Sequence, residues 1–302
     1  MNMQPQTIDK KLSSHQVPRL YLIISMSIFG TLAIFVRNIS LSSGELALYR
    51  AVLAALLIGG YLLLSPDKLK LSAIKKELPL LLLSGAAMAF NWILLFQAYR
   101  FTTVSAATLS YYFAPVLVTI ICPFLFHEKL TPKQIFCSVM STIGVFLITG
   151  IPDLQNMGKD TIGILLGLGA ACFYASVILL NKFIKNVAGI HRTFLQFLAA
   201  IFVLIPYVAY SGGFHLTELN PVGWVNLLIV GLIHTGITYC LYFSSLKELP
   251  GQEAAILSYI DPLVAVIISV LVLGEGITSM QIVGGVLILG FAIWNEMNFN
   301  NK

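Results

Sequence analysis

Ten apolar runs of 17–25 residues, each closed by Pro, Gly or a cluster of charge, occupy most of the chain. They cover 20–37, 44–64, 79–99, 104–125, 132–150, 161–181, 190–210, 221–245, 252–273 and 278–294. A helix rising 1.5 Å per residue needs about 20 such residues to cross the hydrocarbon of a bilayer. The runs lack the period-2 alternation of barrel strands, and lipid admits only helices or closed barrels. With 58% hydrophobic and 10% charged residues, the 302-residue chain is far below the roughly 25% charge of soluble domains. The expectation is therefore an all-α membrane protein of ten transmembrane helices.

The first 19 residues read as a polar, basic cytoplasmic tail, with Lys10, Lys11 and Arg19 before the first apolar run. That run has no small-residue cleavage pattern after it, so it is expected to stay as the first span. Cys122, Cys137, Cys172 and Cys240 all lie in apolar runs without CxxC spacing, which argues against disulfides and a zinc site. No metal or other cofactor is expected.

Basic residues fix the orientation. With the N-terminus inside, Lys10, Lys11, Arg19, Lys68, Lys70, Lys75, Lys76, Lys129, Lys133, Lys182, Lys185, Arg192, Lys247 and Lys302 are cytoplasmic, and only Arg37, Arg100 and Lys159 are outside. Such a bias is the positive-inside pattern, and it places both termini in the cytoplasm. The net charge of +5 sits in short loops where topology accounts for it, so no nucleic acid partner is implied.

The two halves repeat. Residues 104–136 align without gaps on 251–283 at an offset of 147: Tyr112 on Tyr259, Pro115 on Pro262, Glu128 on Glu275, Thr131 on Thr278 and Gln134 on Gln281. A five-span unit repeated once gives segments 20–150 and 161–294, the second inserted upside down because five is odd. Inverted repeats of this kind are typical of secondary transporters, whose substrate site lies near the midplane between the halves. The alternative is that duplication only builds a scaffold.

These paired blocks, Pro115…Glu128-Lys129-Leu130-Thr131…Gln134 and Pro262…Glu275-Gly276-Ile277-Thr278…Gln281, resemble the EamA-type branch of the drug/metabolite transporter superfamily. Tyr49-Arg50 resembles the family's usual arginine in span two, whereas Phe29-Gly30 stands where many members have Trp-Gly. The resemblance implies a central cavity walled by spans 1, 3, 4, 6, 8 and 9, and export of amino acids, other metabolites or toxic compounds. It does not fix the cargo.

Asp261, beside Pro262 near the middle of span nine, is the sharpest single signal. An acid at that depth is costly unless paired, protonated or wetted, so it marks a candidate substrate or proton-coupling group; the alternative is a structural acid capping a broken helix. Ser258 lies three residues earlier on the same face. His234, near the midpoint of span eight, shares a helical stripe with Thr238 and Ser245; it is either a second proton-coupling candidate or a core histidine bonded to a backbone carbonyl. Ser105, Thr108, Tyr112, Pro115 and Thr119 make one face of span four. Ser84, Ala87, Asn91 and Ala98 make another on span three, with Trp92 beside it. The repeat aligns Asn91 with Thr238 and Trp92 with Tyr239. The candidate substrate-binding set is Asn91, Trp92, Thr108, Tyr111, Tyr112, Thr238, Tyr239, Tyr242, Ser258, Tyr259 and Asp261. Alternatively the small and hydroxyl residues simply pack helices together. Arg50 is expected to be structural, snorkelling or pairing with an acid. Glu128 and Glu275 read as helix-terminal anchors.

Other classes fit less well. No HExxH or cluster of facing acids suggests a membrane enzyme, no filter loop or ring of charge suggests a channel, and no Walker motif suggests ATP as the driver. The expected partners are a small-molecule substrate, the lipid bilayer and protons, with the chain a monomer or weak homodimer.

Overall fold

In the computed structural model, residues 16–66, 71–126, 131–149, 158–187, 189–246, 248–249 and 257–297 are described. Outside them lie most of the N-terminal tail, Lys68 and Lys70, Glu128 with Lys129, and the start of span nine. The described residues are helices joined by short turns. In order they are α1 (Gln16–Gly30), α2 (Leu32–Arg37), α3 (Ser43–Leu64), α4 (Leu71–Phe101), α5 (Val104–Tyr111), α6 (Ala114–Phe126), α7 (Pro132–Thr149), α8 (Lys159–Phe183) and α9 (Gly189–Ser211). There follow α10 (Pro221–Leu228), a π-helical stretch (Ile229–Ile237), α11 (Thr238–Leu246), α12 (Ile260–Leu271) and α13 (Ser279–Glu296).

Among the described residues, seven segments are long and apolar enough to cross a membrane: Gln16–Arg37, Ser43–Leu64, Ile74–Phe101, Val104–Ile121, Lys159–Phe183, Gly189–Ser211 and Pro221–Ser245. Pro132–Leu147, Ile260–Leu271 and Ser279–Asn295 are shorter apolar helices. Bulky apolar side chains cover the outside, as with Phe202 at 75% exposure and Leu271 at 77%, a surface that suits lipid rather than water.

The helix starts follow from local chemistry. Ser42 and Glu45 form a capping box, and Asn220 caps a helix with Pro221 in its first turn. The repeated Thr–Gln pairs are capping boxes too. Thr131 Oγ1 accepts from the Gln134 amide at 3.2 Å while Gln134 Oε1 accepts from the Thr131 amide at 2.8 Å, and Thr278 with Gln281 does the same.

Three spans that read as continuous apolar runs are interrupted. The first kinks at Thr31, whose hydroxyl donates to the Ile28 carbonyl. The fourth breaks at Tyr112–Phe113 and the ninth at Tyr259. Pro115 and Pro262 follow those two breaks, and a proline has no amide proton for the carbonyl four residues back.

Packing pairs α4 with α8 and α11 with α1. It also pairs α9 with α4 and the π stretch with α3; α8 with α5 and α6, and α1 with α12. Three further pairs are α3–α9, α5–α12 and α7–α13. Gly144 makes the last approach possible: a Cβ there would lie 2.7 Å from the Gly284 carbonyl oxygen.

Candidate functional site

The breaks in the fourth and ninth apolar segments face each other. Tyr112 donates its hydroxyl proton to Asp261 Oδ2 at 2.5 Å, and the rings of Tyr112 and Tyr259 lie 6.3 Å apart. Tyr111 stacks on Tyr174 at 5.2 Å and meets Tyr112 edge-on at 5.7 Å. Tyr174 and Tyr239 also lie within electrostatic reach of Asp261. Tyr174 keeps 36% of its surface and has Tyr239, Tyr242, Tyr259 and Asp261 within electrostatic reach besides the Tyr111 ring stacked on it.

A second aromatic row leads away from this cluster. Trp92 meets Phe197 at 5.3 Å, Phe197 meets Tyr239 at 5.4 Å, and Tyr239 meets Phe29 at 5.3 Å, all edge-on. Tyr242 and Phe243 continue it at 5.1 Å. Such walls of aromatic faces with a few fixed polar groups are typical of small-molecule sites.

Gly30 sets the approach of α1 to this site. A Cβ at Gly30 would stand 2.7 Å from the Asp261 carbonyl oxygen and 2.6 Å from Val264 Cβ, so only glycine lets the two helices meet there.

The candidates from the sequence separate into two groups. Tyr111, Tyr112, Tyr239, Tyr242, Tyr259 and Asp261 come together, with Ser258 half-buried beside the break. Asn91, Thr108 and Thr238 are buried in helix packing. Asn91 Nδ2 donates to the Ala170 carbonyl at 2.7 Å, and Thr238 Oγ1 donates to the Ile233 carbonyl at 2.7 Å. Trp92 lies under a guanidinium, with Arg50 Cζ 4.9 Å from its ring centroid. His234 and Asp261 do not meet. The His234 ring pairs with Thr31 Oγ1 at 3.0 Å and with the Ile229 carbonyl at 3.3 Å, and packs on Phe35.

Two features escape the sequence. Tyr174 carries no motif and shows its place only once α8 is docked. Glu275 is more than a helix anchor: Oε2 accepts from the Val104 amide at 2.8 Å and from Ser269 Oγ at 2.5 Å, while Oε1 pairs with Arg37. Arg37 in turn donates to the Tyr99 and Thr102 carbonyls at 3.2 and 2.9 Å. This knot ties the ends of α2, α4 and α12 to the start of α5.

Among the described residues no group of His, Cys, Asp or Glu is arranged to hold a metal, and Cys137, Cys172 and Cys240 are free. A small cavity lined by Thr119, Ser138, Ser141 and Asn295 has room for about one water, too little for an organic solute.

Comparison with known proteins agrees with this architecture. "Uncharacterized transporter YxxF" of Bacillus subtilis is 33% identical over 94% of this chain and 90% of its own length. An "Uncharacterized transporter" of Archaeoglobus fulgidus is 28% identical over 91% of this chain and 95% of its own. The "Probable amino-acid metabolite efflux pump" of Salmonella typhimurium is 27% identical over 58% of this chain and 62% of its own. A solved crystal structure shares the fold, with a TM-score of 0.64 at 16% identity over 92% of this chain and 96% of the other. Residues 18–150 and 161–295 each match the EamA-like transporter family, so the chain is a multi-pass membrane transporter of the EamA type, within the drug/metabolite transporter superfamily.

Proposed function

We propose that the protein is a ten-span secondary transporter of the cytoplasmic membrane, built of two inverted five-helix halves (20–150 and 161–294), that exports amino acids or related small metabolites by alternating access. Asp261 and the tyrosines around it bind the solute, and Asp261 is the group that couples its movement to protons.

The hydrogen bond from Tyr112 to Asp261 carries this reading, because it joins the breaks of two helices at the same register of the repeat. Exposed backbone and a carboxylate at a helix interruption suit polar cargo inside a membrane. The packing supports the two halves. Exchanging each span for the one five later turns α4–α8 into α11–α1, α9–α4 into the contact of α3 with the π stretch, and α8–α5 into α1–α12. The pairs α3–α9, α5–α12 and α7–α13 map onto themselves, as contacts on a twofold axis must.

The seven long and three short apolar segments supply the ten spans of this reading. The bias of Lys and Arg toward one set of loops supports cytoplasmic termini. The Glu275 knot then closes the outer end of the bundle. The cargo class rests on the Salmonella typhimurium relative, whose name describes an amino-acid metabolite efflux pump.

A thermal-shift screen of the purified protein against amino acids tests the binding role. A ligand at 100 times its Kd should stabilise the folded state by about 2.7 kcal/mol. At least one amino acid should raise the midpoint of the wild type and fail to raise that of Asp261→Ala. If none shifts the wild type, or the variant shifts equally, the site is assigned wrongly.

A further inference from the structure

Arg50 is a buried cation with no carboxylate partner among the described residues. It lies in α3 with only 3% of its surface exposed. Its Nε donates to Thr235 Oγ1 at 2.6 Å, and its Cζ stands 4.9 Å from the Trp92 ring centroid and 5.4 Å from that of Phe96. No carboxylate pairs with it among the described residues, and neither Nη makes a hydrogen bond there. A guanidinium kept inside a membrane is costly unless something matches its charge.

The surroundings hold this cation in one orientation. The Thr235 hydroxyl that accepts from Nε donates its own proton to the Val230 carbonyl at 2.8 Å, five residues back in the π stretch. π-helical turns are rare and concentrate at functional sites. With Nε fastened and two aromatic faces packed on the plane, the two Nη groups are left as a free fork. Tyr99, Tyr111 and Tyr239 lie within electrostatic reach of it. Tyr111 and Tyr239 are also within reach of Asp261, so Arg50 and Asp261 share these two tyrosines as electrostatic neighbours.

We infer that Arg50 is the carboxylate-binding pole of the solute site, its Nη fork receiving the carboxylate of an amino acid or similar organic acid. Guanidinium and carboxylate match as parallel two-point hydrogen-bonding partners, and the low-dielectric, aromatic setting strengthens the pair. This inference rests on the transport-site reading but is tested apart from it.

The test is a fluorescence titration of the purified protein, excited selectively at tryptophan, with the standard amino acids other than tryptophan and with their α-amides. Trp92 lies against Arg50, so an anion on the fork changes its emission; Trp92→Phe removes that signal and serves as control. The expected result is saturable binding of one or more free acids, with the matching amides at least about tenfold weaker, a difference of about 1.4 kcal/mol. Arg50→Gln should lose the preference for the acid and Arg50→Lys should keep part of it. The acid–amide comparison on the wild type needs no variant to fold. The inference is overturned if no acid binds, if amides bind as well as acids, or if Arg50→Gln binds acids unchanged. Flux of the same solutes in liposomes separates the two readings. Flux indifferent to Arg50 and to the carboxylate leaves transport standing and removes this site; acid binding at Arg50 without any flux does the reverse.

Discussion

Tyr112 and Asp261 meet at 2.5 Å, each beside a break in a helix, and those breaks are 147 residues apart in the chain. Tyr112 has its repeat mate in Tyr259, which faces it, while Asp261 has only Ala114 as mate. The junction therefore falls at paired positions of the sequence repeat, and divergence between its two copies leaves the charge at Asp261 alone of that pair. Replacing Tyr112 by Phe removes one hydrogen bond to a carboxylate, worth about 1.5–3 kcal/mol. Flux through Tyr112→Phe should fall by at least about tenfold, since 1.4 kcal/mol corresponds to a factor of ten. Wild-type flux in that variant would show the bond to be incidental.

Gly30 offers a test of packing. An added Cβ would press on Val264 and on the Asp261 carbonyl, while one at Gly60 would meet nothing within 4 Å. Overpacking typically costs about 1–3 kcal/mol, whereas an exposed helical Gly→Ala gains roughly 0.5–1. Gly30→Ala should lower the thermal midpoint in detergent and Gly60→Ala should raise it or leave it unchanged. A Gly30→Ala protein as stable and as active as the wild type would show that α1 and α12 need not approach so closely.

The Glu275 knot should act as a closure on the outer side. Ser105, with 1% of its surface exposed, lies behind it, its amide donating to Ser269 Oγ at 3.3 Å. In a background with the four native cysteines replaced by serine, Ser105→Cys should react slowly with a membrane-impermeant maleimide added outside. Adding Glu275→Gln, which breaks the ion pair with Arg37, should speed the reaction several-fold. An unchanged rate would mean that the knot does not gate access.

Much of the fold was legible because lipid simplifies the reading: a run of about 20 apolar residues has few other uses. The paired Thr–Gln signatures marked helix starts and the prolines marked the breaks, both through local backbone chemistry. Glu275 was legible as an anchor but its partners were not, since Arg37 lies 238 positions away. Arg37 and Arg100, two of the three basic residues assigned outside, tie helix ends through Glu275 and the Leu41 carbonyl. That local bonding accounts for basic residues on the poorer side of the charge bias. Polar stripes were ambiguous for a physical reason. Asn91 and Thr238 have the spacing of a solute-facing row, but helical periodicity does not say whether a face meets a cavity or another helix. The rotation of docked helices decides that, and it alone brings Tyr174 to the tyrosine cluster and Arg50 onto Trp92.

Orientation is checked by reporters. One fused after Lys302 and one inserted at 65–77 should read cytoplasmic, and one at 211–220 should read external. That last segment is anchored by His215, whose amide donates to Glu45 Oε1 at 2.6 Å, so the insertion belongs at Gly212–Gly213, where a Cβ added to either residue would meet nothing within 4 Å. A cytoplasmic signal there would contradict the ten-span arrangement.

The most direct test is transport by Asp261→Asn beside the wild type in liposomes loaded with a labelled amino acid. Asparagine keeps the size and polarity of the side chain and accepts the Tyr112 proton, but it does not titrate. The wild type should show saturable exchange and, with a pH gradient imposed, uphill movement of the solute. Asp261→Asn should keep the exchange and lose the uphill movement. Survival of uphill movement in Asp261→Asn, or a wild type with no flux above protein-free liposomes across the amino acids, would contradict a proton-coupled amino-acid carrier centred on Asp261.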